Sequence, residues 1–377
     1  MAHSNFHYVS ADQLDRTPTK IQRYKDKIGV TVSAYGRYIS RNSKIFRSTG
    51  VIMDLISLSD ISEAQAILKD VLVETPTVEL KSDRWEGILP DIKGGAIKME
   101  LFQQAGSFKA RGAYLGIHQI AKHEKSKGVI AASGGNHALA VAWAAKKAGV
   151  SAKIAMPEAT DAMRVNGCRA LGAEVILCTD IADAFSKMET YAATEGRTIM
   201  HPFEGRHMTL GSATCGAEFV MAHPEIDLFI VPVGGGGLIS GMAMAIKLIK
   251  PEATIVGVEP FGADSMFQSL KAGLPVRLDE VNTIADSLGS PLAMPYSYEF
   301  VRRHVDQIFR VEDEALRVSM RTYQDILKIT AEPACAASLA GLVGPAKDFA
   351  SGKQVGLIAC GSNISLDRYD TILGARS

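Results

Sequence analysis

The sequence predicts an α/β protein with two open, twisted sheets of parallel type and helices on both faces of each. Strand-like and helical segments alternate between residues 127 and 203, and a second alternating set runs from 228 to 360. Such alternation predicts βαβ units, whose crossovers need a parallel sheet covered by helices. With 377 residues, 47% of them hydrophobic, the chain can bury a core of this size.

The first set contains four strand-like runs separated by helical stretches. The runs read GVIAAS, AKIAMP, AEVILC and RTIMHPF, and the stretches NHALAVAWAAKKAG, DAMRVNGCRALG and DIADAFSKMETYAATEG. Ligands of open parallel sheets bind outside the carboxyl ends of the strands. We therefore expect functional loops directly after these strands.

The second set contains the strand-like runs LFIVPV, TIVGVEP and QVGLIAC, with helices predicted from GGGGLISG and across EDEALRVSMRTYQDIL. Upstream, SLSDISEAQAILKDVL places Ser and Asp before an apolar 3.6-residue rhythm, which is typical of a capped helix. TPTVEL follows as a turn into a strand.

Three regions are predicted along the chain. Residues 1–56 form a basic N-terminal extension, a candidate for a dispensable segment, because residues 1–53 hold nine Lys or Arg but only three Asp and no Glu. Within it, YGRYISRNSKIFRSTG is predicted to be loop. Residues 57–126 and 205–377 are assigned to a large cofactor-binding domain, and residues 127–204 to a small α/β domain.

Composition favours a small-molecule partner. The formal net charge is zero, so no general electrostatic attraction to nucleic acid or anionic membranes is expected. No apolar run reaches the roughly 20 residues of a membrane helix. The five cysteines form neither a CxxC pair nor a metal-like spacing, and their odd number favours a reducing compartment such as the cytoplasm.

A lysine in GSFKARGA, Lys109, is the first candidate for chemistry. A lysine that forms a Schiff base needs a lowered pKa, which burial beside an apolar group such as Phe108 can provide. A solvated surface lysine is the alternative.

The loop SGGNHA follows the strand-like run VIAA and opens a helix, so its backbone amides can bind an anion such as a carboxylate. Its candidate ligand-binding residues are Ser133, Gly134, Asn136 and His137. The Asn136 side chain can also donate to a phenolic oxygen. The alternative is a plain glycine turn with asparagine as the helix cap.

Four glycines, Gly234, Gly235, Gly236 and Gly237, lie between a strand and a helix. Such a loop lets backbone amides converge on one phosphate. The loop lacks the Lys and the Ser or Thr of a Walker loop. A dinucleotide site remains an alternative because Glu259 lies at the end of the next strand. A single phosphate monoester fits the four glycines better. Cys360, in ACGSNIS at another strand end, is the last candidate, with an inert buried cysteine as its alternative.

The order of these motifs resembles the serine/threonine dehydratase family, which consists of pyridoxal-phosphate enzymes of fold type II. The resemblance runs from about Leu58 to the end and includes HPF, GVEP, TIAD and AEPA. It implies pyridoxal 5'-phosphate as cofactor, bound covalently by Lys109. It further implies that Phe108 packs near the cofactor ring and Asn136 bonds the ring hydroxyl. The four glycines would hold the phosphate, Cys360 would face the ring nitrogen, and the loop of Ser133, Gly134, Asn136 and His137 would bind the substrate carboxylate.

Three departures from related enzymes refine this expectation. Gly134 stands where serine racemases have a second serine, so racemisation is disfavoured. Cys360 is not a carboxylate, so the ring nitrogen is not held protonated and prompt elimination is favoured. Near GVEP the chain offers Glu259, Ala263 and Ser265 where racemases bind a divalent cation, and because the matching acid is absent, no metal is predicted.

The resemblance implies an L-threonine or L-serine dehydratase, an ammonia-lyase of amino-acid catabolism that forms a homodimer. Alternatives within the fold are a dehydratase for 3-hydroxyaspartate or 3-phenylserine, a serine racemase and a β-replacement enzyme. Arg206 and His207 could pair a second substrate carboxylate, although exposed loop charges are the simpler interpretation. The alternative outside enzymes is a protein that binds the cofactor but catalyses no reaction.

Overall fold

A computed structural model describes residues 45–48, 51–80 and 83–374, with the strands at 45–48 and 51–54 described by their backbone alone. Most of the predicted extension, residues 1–44, lies outside the described residues. Strand β1 (Ile45–Ser48) pairs antiparallel with β2 (Val51–Asp54). This corrects the loop prediction: the β-prone tetrads IFRS and VIMD are separated by two residues, the length of a tight hairpin connection.

The larger sheet has six strands in the order β11, β10, β9, β12, β4, β3. All neighbours are parallel except β3 and β4, which are antiparallel. The strands are β3 (Thr77–Glu79), β4 (Gly94–Lys98), β9 (Leu228–Pro232), β10 (Thr254–Pro260), β11 (Gln307–Val311) and β12 (Gln354–Ile358).

The smaller sheet has four parallel strands in the order β7, β6, β5, β8. They are β5 (Val129–Ala132), β6 (Ala152–Pro157), β7 (Glu174–Cys178) and β8 (Thr198–Ile199). Each coincides with one of the four strand-like runs of the first set. The predicted α/β fold class with two sheets of parallel type is confirmed, whereas the domain boundaries stay a prediction.

Helices cover both sheets. They are α1 (Leu58–Leu68), α2 (Lys109–His118), α3 (Asn136–Ala148), α4 (Ala162–Ala170), α5 (Ile181–Glu195), α6 (Arg206–Ala222), α7 (Gly237–Ile249), α8 (Ser265–Ala272), α9 (Pro295–His304), α10 (Asp313–Leu327), α11 (Pro333–Val343), α12 (Lys347–Ala350) and α13 (Leu366–Leu373). Helix α1 begins with the predicted cap, a capping box between Ser57 and Asp60.

Helices α6 and α7 cross in close contact beneath the larger sheet. A methyl group at Gly241 would lie 2.0 Å from the carbonyl oxygen of Thr209, and one at Gly216 would lie 2.7 Å from Met242 Cα. Glycine at both positions lets the two backbones approach this closely. The contact fixes the start of α7, which follows the four-glycine loop.

Candidate active site

The segment that carries Lys109 is held against the end of strand β12. Ser107 forms a β-bridge with Gly361, and the Phe108 amide donates to the Cys360 carbonyl oxygen at 3.2 Å. Helix α2 begins at Lys109, directly after this contact. The predicted lysine and the predicted cysteine therefore lie in one place, although 251 positions separate them in the sequence.

The Lys109 amine is enclosed by protein groups. Its Nζ donates to the carbonyl oxygen of Pro202 and lies 5.0 Å from the centroid of the Phe108 ring. Burial lowers the pKa of Lys109 to about 8, while Cys360 and Glu332 act in the opposite direction. An amine with this pKa is a far better nucleophile and base near neutral pH than a solvated lysine.

A buried ionic network fixes helix α2 from below. Arg111 is 1% exposed and donates to both oxygens of Glu100, each at 2.8 Å. It also donates to Glu218 at 2.7 Å, and Lys98 pairs with the same carboxylate at 3.2 Å. A buried charge without its partners would be strongly destabilising, so these contacts restrict α2 to one position. Sequence reasoning missed this network.

The loop SGGNHA connects β5 to α3 at the edge of the smaller sheet. Helix α3 starts at Asn136, with Gly135 as its N-cap residue and no side-chain cap. The Asn136 side chain instead donates to Glu332 Oε1 at 2.6 Å and accepts from Asn363 Nδ2 at 2.6 Å. The alternative in which Asn136 merely caps the helix is therefore wrong.

Glu332 is a site residue that sequence reasoning missed. It is fully buried just before Pro333 opens α11, and burial raises its pKa to about 7. A methyl group on Gly361 would lie 2.7 Å from its Oε1. The signal that could have marked Glu332 is its place in AEPA, one of the motifs that carry the family resemblance.

The His137 side chain is neutral and turned away from the loop. Its Nε2 lies 2.8 Å from the Met200 carbonyl oxygen, and burial lowers its pKa well below the usual value. Since a carbonyl only accepts, Nε2 carries the proton and the buried Nδ1, which has no partner among the described residues, carries none. His137 can thus offer a substrate carboxylate only its backbone amide.

The four-glycine loop connects β9 to the uncapped start of α7. Gly236 has φ +88°, which favours glycine, and α7 has no side-chain cap. Methyl groups at Gly235 and Gly237 would lie 2.4 Å and 2.8 Å from Phe203. The first amides of α7 therefore face an anion site that a phosphate monoester fits.

Cys360 follows strand β12 and is 3% exposed. Burial raises the pKa of its thiol well above the usual value, so the group stays protonated and uncharged. A neutral thiol is a weak hydrogen-bonding partner. The Cys360 side chain itself therefore presents no negative charge to a group that faces it.

Gly134 lies against Thr160, since a methyl group at Gly134 would approach Thr160 Oγ1 to 2.5 Å. Arg164 holds this loop from α4 by donating to the Gly134 carbonyl oxygen at 3.3 Å. Arg164 also donates to Asp286 at 2.8 Å and to the Asn363 carbonyl oxygen at 2.8 Å. Arg164 thereby connects the smaller sheet to segments beside the larger one, a role that no sequence motif indicated.

The acids near the GVEP motif have structural partners. Glu259 is fully buried and accepts from the amides of Met266 and Phe267 at the start of α8, at 3.0 Å and 2.7 Å. Asp264 accepts from Arg310 at 2.9 Å. Within residues 55–80 and 83–374, no group of three or more His, Cys, Asp or Glu is arranged to hold a metal ion. A buried Glu259 is also unavailable to a nucleotide ribose.

Of the two residues considered for a second carboxylate, Arg206 is paired with another helix and His207 is uncharged. Arg206 Nη2 donates to Asp60 Oδ1 at 2.7 Å. Burial lowers the pKa of His207 to about 4, so its ring is uncharged at neutral pH. Neither group supports a substrate with a second carboxylate.

Comparison with known proteins agrees with this geometry. The family described as "Pyridoxal-phosphate dependent enzyme" matches residues 73–361. The chain belongs to this family. A phenylserine dehydratase from Ralstonia pickettii is 41% identical over 85% of this chain and 97% of its own length, and an L-threonine ammonia-lyase from Thermotoga maritima is 36% identical over 85% and 78%.

Among solved structures, maize serine racemase superposes with a TM-score of 0.77 at 34% identity, covering 82% of this chain and 94% of that one. The predicted family, fold type and cofactor, pyridoxal 5'-phosphate, are confirmed, and the relatives confirm an ammonia-lyase. No described helix is long and apolar enough to cross a membrane.

Proposed function

We propose that this pyridoxal-phosphate enzyme removes water and ammonia from a β-hydroxy amino acid of the L-serine or L-threonine type and yields a 2-oxo acid. The observation that carries the proposal is the enclosed amine of Lys109, whose pKa is lowered to about 8, in a site where position 134 is glycine. One base on one face suits elimination, which needs a proton removed but none returned to Cα.

Several residues would hold the cofactor. The amides of Gly234–Gly237 would bind its phosphate, Asn136 its ring hydroxyl and Lys109 its aldehyde carbon. Phe108 would pack beside the ring, and Cys360 would lie near the ring nitrogen. When bound, the cofactor withdraws electrons from the substrate Cα and thereby weakens the Cα–H bond. The neutral Cys360 thiol leaves this withdrawal modest, which favours prompt loss of the β-hydroxyl.

Lys109 would carry the proton transfers. Its free amine accepts the Cα proton at Nζ, while the Pro202 carbonyl oxygen orients that atom. The Cβ–O bond then breaks, and the hydroxyl leaves as water with the proton that Lys109 Nζ had accepted from Cα. The released enamine takes up one water and becomes a 2-oxo acid and ammonia, so serine gives pyruvate and ammonia with no net consumption of water.

The substrate carboxylate would bind at the uncapped start of α3. Ser133, Gly134, Asn136 and the His137 amide form this loop, and Ser133 Oγ already accepts from the Gly135 amide at 3.1 Å. The named activity of the Ralstonia pickettii relative makes a bulkier substrate, 3-phenylserine, the second candidate. β-Replacement would need a second substrate to enter after elimination.

We also propose a homodimer that works in the cytoplasm, with a large domain of residues 57–126 and 205–377 and a small domain of residues 127–204. All five cysteines are buried free thiols, which fits a reducing compartment. Light scattering of the purified holoenzyme tests the dimer, and a mass near 40.4 kDa, that of one chain, would contradict it.

A product assay tests the reaction. The holoenzyme is incubated with L-serine, L-threonine, D-serine and L-threo-3-hydroxyaspartate, and ammonia and 2-oxo acid are measured together. We expect equal amounts of both products from the L-β-hydroxy substrates. Release of neither product from any β-hydroxy amino acid would overturn the proposal.

A further inference from the structure

Three aromatic rings form a continuous wall that reaches the Lys109 amine at the segment 201–203. The wall consists of Phe185 on α5 and of His201 and Phe203 after β8. The Phe185 and His201 centroids are 5.9 Å apart, and those of His201 and Phe203 are 4.7 Å apart at an interplanar angle of 86°. Pro202, whose carbonyl oxygen accepts from Lys109, lies between the two latter residues.

The wall is uncharged at neutral pH. Burial, the neighbouring His207 and the Lys109 ammonium lower the pKa of His201 to about 3. The cations closest to the rings in sequence are paired with carboxylates: Lys187 lies 3.0 Å from Asp183, and Arg206 lies 2.7 Å from Asp60. These two cations are therefore already engaged and do not favour a second carboxylate on the substrate.

The wall is also fixed in position while its rings remain partly exposed. The Phe203 ring packs on the glycine loop, where a methyl group at Gly235 would lie 2.4 Å from it. His201 Nδ1 accepts from the amides of Phe203 and Glu204 at 3.4 Å and 3.0 Å, which fixes its ring orientation. Phe185, His201 and Phe203 are only partly buried, so part of each side chain remains accessible to a ligand.

From these observations we infer that the wall binds the β-substituent of the substrate and that this substituent is aromatic, as in 3-phenylserine. The inference rests on the proposed elimination and selects the second candidate, 3-phenylserine, over L-serine and L-threonine as the preferred substrate. A phenyl group would pack on the rings in the tilted or edge-to-face geometry that aromatic pairs prefer. The Cα proton would pass to Lys109, the β-hydroxyl would leave as water, and hydrolysis would give phenylpyruvate and ammonia.

Steady-state kinetics of the holoenzyme test the inference. We expect kcat/KM for L-threo-3-phenylserine to exceed that for L-serine by about tenfold or more, since a buried phenyl group contributes at least this much to binding. Phe185→Leu should lower kcat/KM for 3-phenylserine by about tenfold and leave that for L-serine within about twofold. The control is Phe349→Leu, which removes an aromatic partner of Phe309 outside the site and should change neither value.

Ligand binding provides a readout independent of turnover. L-Phenylalanine lacks the leaving hydroxyl, and titration calorimetry should show it binding the holoenzyme more tightly than L-alanine, with the difference reduced in Phe185→Leu. If L-serine and L-threonine are eliminated, but 3-phenylserine and L-phenylalanine gain nothing from Phe185, the inference is wrong and the proposed function stands. If no β-hydroxy amino acid yields ammonia and oxo acid, both fail.

Discussion

Asn136 and Glu332 lie 196 positions apart in the sequence, yet Asn136 Nδ2 donates to Glu332 Oε1 at 2.6 Å. The contact joins the loop after β5 in the smaller sheet to the start of α11 beside the larger sheet. Arg164 Nη2 lies 3.7 Å from the other carboxylate oxygen. The Asn136 side chain is thus oriented by Glu332, a residue outside the predicted motif SGGNHA.

Glu332 is therefore expected to act as a positioning residue for the cofactor. Glu332→Ala leaves the Asn136 amide without its acceptor, which costs about 1–3 kcal/mol. We expect the dissociation constant of pyridoxal 5'-phosphate, measured by titrating apoenzyme, to rise about tenfold or more and the visible cofactor absorbance to shift.

Glu299→Ala is the matched control, because Glu299 is also buried but pairs with Arg302 and Arg303 away from the site. It should lower stability without changing cofactor affinity. An unchanged dissociation constant and spectrum in Glu332→Ala would show that Glu332 is only structural.

Two buried carboxyl groups should make the protein less stable as the pH rises. Burial raises the pKa of both Glu204 and Glu332 to about 7 from 4.5. Between these pH values the folded state holds protons that the unfolded state has lost, so this contribution to stability is complete below about pH 4.5 and is lost as the pH passes about 7. Each group contributes at most about 3 kcal/mol.

Glu332→Gln removes one of these titrations. Thermal unfolding of wild type and variant across this window should show the wild type losing more stability than the variant as pH rises. Parallel curves for the two proteins would contradict the raised pKa of Glu332.

The glycine loop should tolerate no side chain at position 235. Gly235→Ala forces a methyl group into the Phe203 ring, displacing either the phosphate loop or the aromatic wall. We expect cofactor affinity to fall by at least about tenfold, measured by equilibrium dialysis.

Gly149→Ala is the control, since Gly149 has φ +67° and an open surrounding. That variant should lose about 1 kcal/mol of stability through backbone strain and bind the cofactor normally. Equal affinities in the two variants would remove the phosphate role from Gly235.

The enzyme should eliminate without racemising. Gly134 offers no side-chain acid to return a proton to Cα, so L-serine left after partial turnover should remain L. Chiral chromatography of the residual substrate checks this. Accumulation of D-serine at a rate comparable to pyruvate would show that another residue supplies the second proton.

The sequence predicted most strands because parallel strands form short apolar runs flanked by glycine turns, but it missed β4 (Gly94–Lys98) and β11 (Gln307–Val311). The runs VIAA, LFIVP and QVGLI are strands, and the glycine loop starts a helix as expected. The local pattern of apolar and glycine residues determines these strands and this helix start, so they can be predicted from the sequence.

Side-chain partners across the fold were beyond the sequence. Two examples are the hydrogen bond between Asn136 and Glu332 and the salt bridge between Arg164 and Asp286. Both depend on how distant segments pack together after folding. The Phe185 ring sits on an amphipathic helix where its spacing resembles ordinary core packing. Nothing local distinguishes it from such a residue.

The most direct test of the account is the product assay on Lys109→Ala. We expect no covalent attachment of the cofactor, seen as loss of the visible absorbance of the lysine-bound form, and a fall in oxo-acid production of at least about a thousandfold. Lys353→Ala, which removes a surface lysine stacked on Phe349, should leave both unchanged. A Lys109→Ala enzyme that keeps the bound absorbance and still makes oxo acid and ammonia would contradict the assignment of Lys109.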